Sequence, residues 1–149
     1  GEPLSAPNAH YCALVLTRAE SGFTARIADS QSAEALAGAD YAFGGFWAVL
    51  RDGEILPFAA ETHDSRTACG ISANGRTLYL LAVEGERRRV SRGLSYPECA
   101  AIFKQLGAVH AMQFDGGGST ALFINGKNML SYPNMRINAV SVGFSFKKD

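Results

Sequence analysis

The sequence lacks an excess of charge of either sign. Its 14 lysines and arginines balance 14 aspartates and glutamates, so the formal net charge at pH 7 is zero. A nucleic-acid-binding domain is expected to concentrate basic residues on one face, and this balance argues against that class. The one basic run, Arg87-Arg88-Arg89, follows a predicted turn and is interpreted as solvated surface.

The chain also lacks long apolar runs, repeats and low-complexity segments. There is no stretch of the roughly 20 apolar residues that a membrane-spanning helix needs, and we expect no signal peptide. Residues 1–7 have the composition of a mature or trimmed N-terminus. With 149 residues, 47% of them hydrophobic, the sequence predicts a single globular domain with an ordinary core.

Cysteine is scarce, at three residues, and an odd number leaves at least one thiol unpaired. Cys69 lies in a predicted strand and Cys99 in a predicted helix, so we expect buried free thiols. The pairing of Cys12, Cys69 and Cys99 and the redox compartment stay open at this point.

What the sequence does have is a series of short apolar segments separated by turn residues, the pattern of antiparallel strands. Asn74-Gly75 between two such segments is a strong hairpin signal, and Asp52-Gly53 and Asn125-Gly126 provide two more. The predicted strands are 10–16, 23–28, 44–50, 54–56, 67–72, 77–83, 109–114, 121–124 and 138–146.

One helix is well signalled, over about residues 95–106. Ser95 and Glu98 have the spacing of a capping box, and Pro97 suits the first helical turn. A shorter helix is predicted at 32–37. The predicted fold class is therefore α+β, a mainly antiparallel sheet with the helix at about 95–106 packed on it.

The single tryptophan, Trp47, lies in the predicted strand at 44–50. Aromatic side chains contribute much of the buried area in protein cores, so we expect Trp47 to be buried. A platform for a sugar ring is the alternative interpretation.

The segment from Gln113 to Phe123 is the most informative part of the sequence. An apolar strand is followed by one carboxylate (Asp115), three glycines and two hydroxyl side chains. Adjacent glycines suit a backbone that needs positive φ or touches a ligand closely, and successive N–H groups in such a turn form an anion-binding concavity. The alternative is a flexible hairpin tip with Asp115 as an Asx-type turn cap. The spacing fits neither a P-loop nor a dinucleotide fingerprint.

Asp-Gly-Gly-Gly-Ser-Thr after an apolar strand resembles the signature of the phosphodiester glycosidase family. Residues 65–71, 93–108 and 131–136 agree with further family segments in the same order, and the resemblance covers roughly residues 43–146. The family includes the enzyme that uncovers mannose 6-phosphate tags and many bacterial envelope and exopolysaccharide proteins. The resemblance therefore implies that the chain hydrolyses a sugar-1-phosphodiester or phosphoglycan outside the cytoplasm, in a secreted, periplasmic or cell-envelope setting.

The resemblance also implies which residues hold the substrate. Arg66 and Arg136 would grip the phosphate, because a guanidinium presents a planar fork to two oxygens. Asp115 would pair with Glu61 or Asp64, since glycosidases commonly use two carboxylates. No cofactor is expected, and a requirement for a divalent metal stays open. The other predicted substrate contacts are Gln113, Gly116, Gly117, Gly118, Ser119 and Thr120.

The sequence departs from the family pattern in two places. Gln113-Phe114 stand where members often carry Asn-Leu, and Phe43-Gly44-Gly45-Phe46 has the Gly-Gly-Phe of an upstream active-site segment without its Asn. Truncation, processing into two chains and divergence would each explain a missing upstream segment. Two rivals to an enzyme thus stay open. One is a catalytically silent glycan- or phosphate-binding module, and the other is a fragment that a second chain or another copy completes.

Overall fold

Two antiparallel sheets and one helix make up most of the described chain. The computed structural model describes residues 4–59, 62–85, 87 and 89–131. Glu61, Arg136 and the predicted strand at 138–146 lie outside these residues. The described elements confirm the predicted class, α+β with mainly antiparallel sheet.

The N-terminal part of the chain forms a three-stranded sheet. β1 (Ala13–Arg18) is the central strand, with β2 (Phe23–Ala28) on one side and β3 (Tyr41–Gly44) on the other. β2 has the predicted bounds, whereas β1 begins at residue 13 instead of 10. Asn8 is the reason, because its side chain accepts the N–H of His10 at 3.0 Å and forms a turn where the strand was expected.

A second sheet of five antiparallel strands carries the predicted site segments. Its strands in chain order are β4 (Ala48–Arg51), β5 (Glu54–Ile55), β6 (Arg66–Ile71), β7 (Leu78–Val83) and β8 (His110–Gln113). Their order across the sheet is β5-β4-β8-β6-β7. Because β6 and β8 are antiparallel neighbours, with Ala68 opposite Gln113, the start of β6 and the end of β8 lie together at one end of the sheet.

Three hairpins close at the predicted turns. Asp52-Gly53, between β4 and β5, and Asn125-Gly126 both have positive φ at the two central residues, the geometry of a tight two-residue turn. Asn125-Gly126 joins the short strands β9 (Phe123–Ile124) and β10 (Lys127–Asn128). The β6–β7 hairpin turns around Asn74-Gly75.

α1 (Tyr96–Gln105) is the only α-helix in the part of the chain that the structure describes. The predicted capping box is present, since Ser95 Oγ accepts the N–H of Glu98 and the Glu98 carboxylate accepts the N–H of Ser95 at 2.8 Å. Phe103 faces the five-stranded sheet. A Cβ at Gly70 would lie 2.6 Å from the Phe103 ring, so β6 needs a glycine for the helix to pack.

The five-stranded sheet is buried on both faces. Ala68 and Ala111 face the helix, whereas the next residues along each strand, Cys69 and Met112, face the other way, as the two-residue period of a strand requires. The helix side also holds Val49, Leu50, Ala100, Phe103 and Ala108, and the other side holds Cys12, Leu14 and Ile71. The helix, the five-stranded sheet and the three-stranded sheet therefore form successive layers.

The predicted helix at 32–37 is wrong. These residues form successive turns, in which the carbonyl of Ser32 accepts the N–H of Leu36 at 3.0 Å and its hydroxyl accepts that of Ala35 at 3.2 Å. Six residues give too few helical hydrogen bonds to offset the free energy of helix nucleation, and the chain turns toward β3 instead.

The predicted strand at 44–50 is also wrong, because it spans two strands of different sheets. Between β3 and β4, the N–H of Gly45 donates to the carbonyl of Cys12 at 2.9 Å, whereas the N–H of Phe46 donates to that of Gln113 at 2.8 Å. Consecutive amides therefore bond to opposite sheets, and the chain crosses from one layer to the next.

The expectation that Trp47 is buried is wrong as well. Trp47 follows this crossing and is 42% exposed. Its ring contacts are to Tyr11, Phe46 and Tyr96 at the end of the sheet, so it lies at the margin of the core.

The three cysteines are buried and free, as predicted. Burial raises the pKa of each thiol, most strongly that of Cys69, so all three are neutral and unreactive core residues.

None of the helices that the described residues form is both long enough and apolar enough to span a membrane.

Candidate functional site

The glycine-rich loop after β8 is held against the start of β6. The N–H of Gly117 donates to the carbonyl of Ser65 at 2.9 Å, and a Cβ at Gly116 would lie 2.7 Å from the same oxygen. Gly117 has a φ of 53°, which residues with side chains rarely adopt. Gly116 is thus needed for the close approach to Ser65 and Gly117 for its positive φ. A flexible hairpin tip would require neither.

The rest of the loop forms a 3₁₀ turn, Gly117–Ser119. The N–H groups of Ser119 and Thr120 donate to the carbonyls three residues before them, at 3.0 and 3.1 Å. Thr120 is buried, with its hydroxyl 3.4 Å from that of Thr67. The predicted anion-binding concavity would therefore rely on the exposed Gly118 and the half-buried hydroxyl of Ser119.

Asp115 is exposed between β8 and the glycines. Its carboxylate has neither a hydrogen bond nor an ion pair with any of the described residues. An Asx-type cap would accept a nearby N–H, so Asp115 does not cap this turn. Residues 4–59, 62–85, 87 and 89–131 contain no group of three His, Cys, Asp or Glu side chains placed to hold a metal ion.

Arg66, the first residue of β6, is only 7% exposed. Its Nε donates to the carbonyl of Leu94 at 2.9 Å, and its Nη2 donates to that of Thr62 at 2.6 Å. The guanidinium lies over the Tyr96 ring, 4.2 Å from the centroid. Arg66 therefore braces the loop before β6 and the start of α1, and part of its predicted phosphate-binding fork is engaged by the protein.

Asp64 is half-buried on the same segment. Its backbone pairs with Leu94 through hydrogen bonds of 3.3 and 3.1 Å, and its Oδ1 accepts the N–H of Ser65 at 2.7 Å. Because Ser65 also accepts a hydrogen bond from the glycine-rich loop, the segments of Asp64 and Asp115 meet. Glu61, the other predicted partner of Asp115, lies outside the described residues.

Gln113, the last residue of β8, is 1% exposed. Within the described ranges, the only partner of its amide is the thiol of Cys99. Its neighbour is the Cys99 thiol, whose pKa is raised by burial and lowered to a smaller extent by Gln113 and the charge of Arg66. A thiol is a weak hydrogen-bond partner. The buried amide therefore still has hydrogen-bonding groups that a water molecule or a ligand would pair with.

The Gly-Gly-Phe segment at 44–46 contacts the end of β8 directly. A Cβ at Gly45 would lie 2.6 Å from the carbonyl of Gln113. From the other side, Gln31 Nε2 donates to the carbonyls of Cys12 and Gly45 at 3.1 and 3.3 Å. The paired glycines are the sequence signal for this contact, whereas no motif marks Gln31 as a residue that secures it.

A charged cluster adjoins the site at the start of α1. His63 Nε2 lies 2.9 Å from Glu98 Oε2, and Arg92 Nη2 lies 3.2 Å from the other carboxylate oxygen. The N–H of Ser95 is the main cause that lowers the pKa of Glu98 from 4.5 to about 2, with His63 adding to it. Glu98 therefore stays ionised at neutral pH and fixes the start of α1 beside Arg66.

The last described residue, Ser131, also connects to the start of β6. Its N–H donates to the Glu84 carboxylate at 3.0 Å and its hydroxyl donates to the same group, and these hydrogen bonds lower the pKa of Glu84. The neighbouring Gly85 donates its N–H to Ser65 Oγ at 2.8 Å. The predicted Arg136 segment thus begins beside the candidate site, although Arg136 itself lies outside the described residues.

The fold is an α+β domain in which a glycine-rich loop, a braced arginine and the carboxylate of Asp115 lie at one end of the five-stranded sheet. The model of the phosphodiester glycosidase family matches residues 12–147. Since this match covers most of the 149 residues, the chain belongs to the phosphodiester glycosidase family.

Solved structures share the fold. The zebrafish N-acetylglucosamine-1-phosphodiester alpha-N-acetylglucosaminidase catalytic domain, auto-inhibited by its pro-peptide, has a TM-score of 0.63 and 22% identity over 87% of this chain. A hypothetical protein from Synechocystis has a TM-score of 0.53 and 27% identity over 72% of this chain. The chain spans 47% of the zebrafish protein's chain and 21% of the Synechocystis one. No curated protein matches the sequence.

Proposed function

We propose that this chain hydrolyses the glycosyl–phosphate bond of a sugar-1-phosphodiester on envelope or extracellular glycans. The observation that carries the proposal is the 2.9 Å hydrogen bond from Gly117 N–H to the carbonyl of Ser65. It joins the loop of Asp115 to the segment of Asp64 and Arg66. Carboxylates and a cation, the residue types that this reaction needs, thereby come from neighbouring strands in a member of a glycosidase family.

In the proposed reaction, the bond between the anomeric carbon and the phosphate oxygen breaks, and its electron pair leaves with the phosphate. Positive charge develops on the sugar ring, and the unpaired carboxylate of Asp115 would stabilise it. A phosphate monoester leaves readily, so the leaving group needs less protonation than an alkoxide. Water then adds to the anomeric carbon and loses a proton to Asp64 or Glu61.

The phosphate would be held by Arg66 and Arg136, with Gln113, Ser119 and the loop glycines around it. A guanidinium stays charged at all relevant pH values, and the charge of Arg66 acts strongly on a neighbouring anion because burial lowers the local dielectric. Its hydrogen bonds to two carbonyls fix its position before substrate arrives.

The test is an assay of the purified chain against sugar-1-phosphodiesters that include N-acetylglucosamine, the sugar in the zebrafish enzyme's name, with a chelator and with added divalent metal. Asp115→Asn keeps the side-chain shape and removes its charge, so turnover should fall at least about a hundredfold. The melting temperature should change little. Asp52→Asn, in the exposed β4–β5 turn, is the control and should retain full turnover. Near-wild-type turnover of Asp115→Asn would remove Asp115 from the reaction.

A catalytically silent glycan- or phosphate-binding module is the second candidate. The Gly-Gly-Phe segment at 44–46 favours it, because this segment contacts the end of β8 but lacks the Asn of the family's upstream active-site segment. Calorimetric binding of a sugar 1-phosphate, combined with no product from any diester in the panel, would select this candidate over the hydrolase.

A further inference from the structure

A row of aromatic side chains runs past the candidate site. Successive ring centroids are 5.0, 5.2, 5.8 and 5.0 Å apart along the row Tyr11, Phe46, Trp47, Tyr96 and Phe58. The guanidinium of Arg66 lies on the fourth ring, 4.2 Å from its centroid. The row is therefore continuous with the cationic part of the site.

Trp47 is the exposed member of this row, at 42%, whereas the other four are half-buried. Phe46 stacks on the indole with an interplanar angle of 25°. Tyr11 and Tyr96 approach it at 82° and 53°. Three ring contacts thus fix the orientation of the indole, while a large part of the residue stays exposed.

An independent polar signal lies on the neighbouring strand. The N–H of Gln113 donates to the carbonyl of Trp47 at 2.9 Å, so the two residues are neighbours across the strands. The Gln113 side chain is 1% exposed, and among the described residues its amide has only the weakly hydrogen-bonding thiol of Cys99 as a partner. A buried amide in this state calls for a polar partner, and the charge of Arg66 favours an anionic one.

These three features fit one class of ligand. An aromatic face attracts polarised C–H groups, an amide binds hydroxyl or phosphate oxygens, and a guanidinium attracts a phosphate. A pyranose with a phosphate on its anomeric carbon presents all three groups within one small molecule.

We propose that the exposed surface of Trp47 is the sugar subsite, on which the pyranose ring lies with its phosphate directed toward Arg66. This assignment rests on the proposed function, whose substrate it divides into a ring held by Trp47 and a phosphate held by the glycine-rich corner. Trp47 then selects among sugars, because a ring with several C–H bonds on one face stacks better than one with hydroxyls on both faces.

Trp47 is the only tryptophan in the chain, so its fluorescence reports on this position alone. Methyl glycosides and 1-phosphates of the common hexoses and of their 2-acetamido derivatives would be titrated into the wild-type chain, with excitation where tyrosine does not absorb. For at least one sugar, both forms should cause a saturable shift of the emission to shorter wavelength. Inorganic phosphate should leave the spectrum unchanged.

Variants separate stacking from other contributions, with affinities measured by calorimetry. Trp47→Ala should weaken binding of the methyl glycoside about three- to tenfold, the range for a well-stacked aromatic contact, while Trp47→Phe should retain most of the affinity. Tyr41→Ala is the matched control, because Tyr41 is 49% exposed and belongs to β3 in the other sheet. It should leave binding unchanged.

The outcomes distinguish this assignment from the proposed reaction. Sugar-dependent fluorescence with no turnover of any diester would support the subsite and reject the hydrolase. Turnover with no sugar-dependent fluorescence, and with the same KM in Trp47→Ala as in wild type, would overturn the subsite and leave the hydrolase in place. An equal spectral response to inorganic phosphate, or no binding of any sugar, would also overturn it.

Discussion

At the scale of single residues, burial separates the two charged groups at the centre of the candidate site. Arg66 is 7% exposed and is held by the carbonyls of Thr62 and Leu94, because a buried cation requires acceptors to offset its desolvation. Asp115 is exposed, and none of the described residues pairs with its carboxylate. The first group is fixed before any ligand binds, whereas the second is available to one.

Arg66→Lys tests whether the guanidinium fork matters for the phosphate. The charge is kept, but an ammonium cannot reproduce the fork, so affinity for a sugar 1-phosphate should fall about one to two decades, the scale of a hydrogen bond to a charged group. Titration calorimetry with the phosphate and with an uncharged glycoside of the same sugar provides the measurement. The glycoside should bind wild type and variant alike.

Arg136→Lys is the parallel variant, and we expect the same selective loss from it. Equal losses for the two ligands in either variant would mean that the arginine secures the loop and not the phosphate. The contacts of Arg66 with two backbone carbonyls and Tyr96 make that outcome a real alternative for this residue.

Gly117 and Gly118 form a matched pair within one turn. Gly117 has a φ of 53°, whereas Gly118 is not among the residues with positive φ. A β-branched side chain is strongly disfavoured at positive φ, so Gly117→Val should lower the melting temperature and abolish sugar 1-phosphate binding. Gly118→Val should lower the melting temperature less. Similar melting temperatures for the two variants would show that the loop changes conformation easily.

The sequence predicts the site residue types better than the contacts between them. Asp115 and the glycines stand out because a local motif marks them. The contact of Gly116 with Ser65 and the bracing of Gly45 by Gln31 leave no local pattern, since they join segments far apart in the chain. The burial of Arg66 could not be predicted for the same reason.

At the scale of elements, capping and turn motifs, which act within a few residues, predict the helix and the hairpins correctly. The capping box of Ser95 and Glu98 predicts the start of α1, and Asn74-Gly75 predicts the β6–β7 hairpin. The strand predicted at 44–50 fails because its two halves bond to different sheets, a choice that depends on Cys12 and Gln113 elsewhere in the chain.

The stability that Glu98 contributes at the start of α1 depends on pH. Its pKa is about 2 in the folded chain against 4.5 ordinarily. A lowered folded pKa gives stability that is fully present above the unfolded value and is lost as pH falls through the folded one. Glu98→Gln keeps a capping acceptor but not the charge, so wild type should be the more stable of the two above about pH 4.5.

The measurement is the difference in melting temperature between wild type and Glu98→Gln as a function of pH. Between about pH 4.5 and 2 this difference should shrink toward zero, because wild-type Glu98 becomes protonated. Glu54→Gln is the control, since the Glu54 side chain is 83% exposed, and its difference should stay small throughout. A pH-independent difference for Glu98→Gln would mean that its charge does not stabilise the helix start.

At the scale of the whole molecule, the two sheets are joined where the β6–β7 hairpin docks on β2. The N–H of Ala25 donates to the carbonyl of Gly75 at 2.8 Å, and a Cβ at Gly75 would lie 2.5 Å from the carbonyl oxygen of Ala25. The sequence predicts the hairpin itself but not its docking partner, because Ala25 carries no distinguishing signal. This docking therefore joins the two layers at the end of β6 opposite the candidate site.

Gly75→Ala tests this docking, and Gly53→Ala is its matched control. Both glycines have positive φ, 66° and 77°, but a Cβ at Gly53 would meet nothing within 4 Å. Each variant should lose about 1–2 kcal/mol of unfolding free energy from the left-handed backbone. Gly75→Ala should lose a further 1–3 kcal/mol, roughly, because β2 and the hairpin must move apart. Denaturant titrations of both variants provide the comparison, and equal losses would mean that the sheets do not depend on this contact.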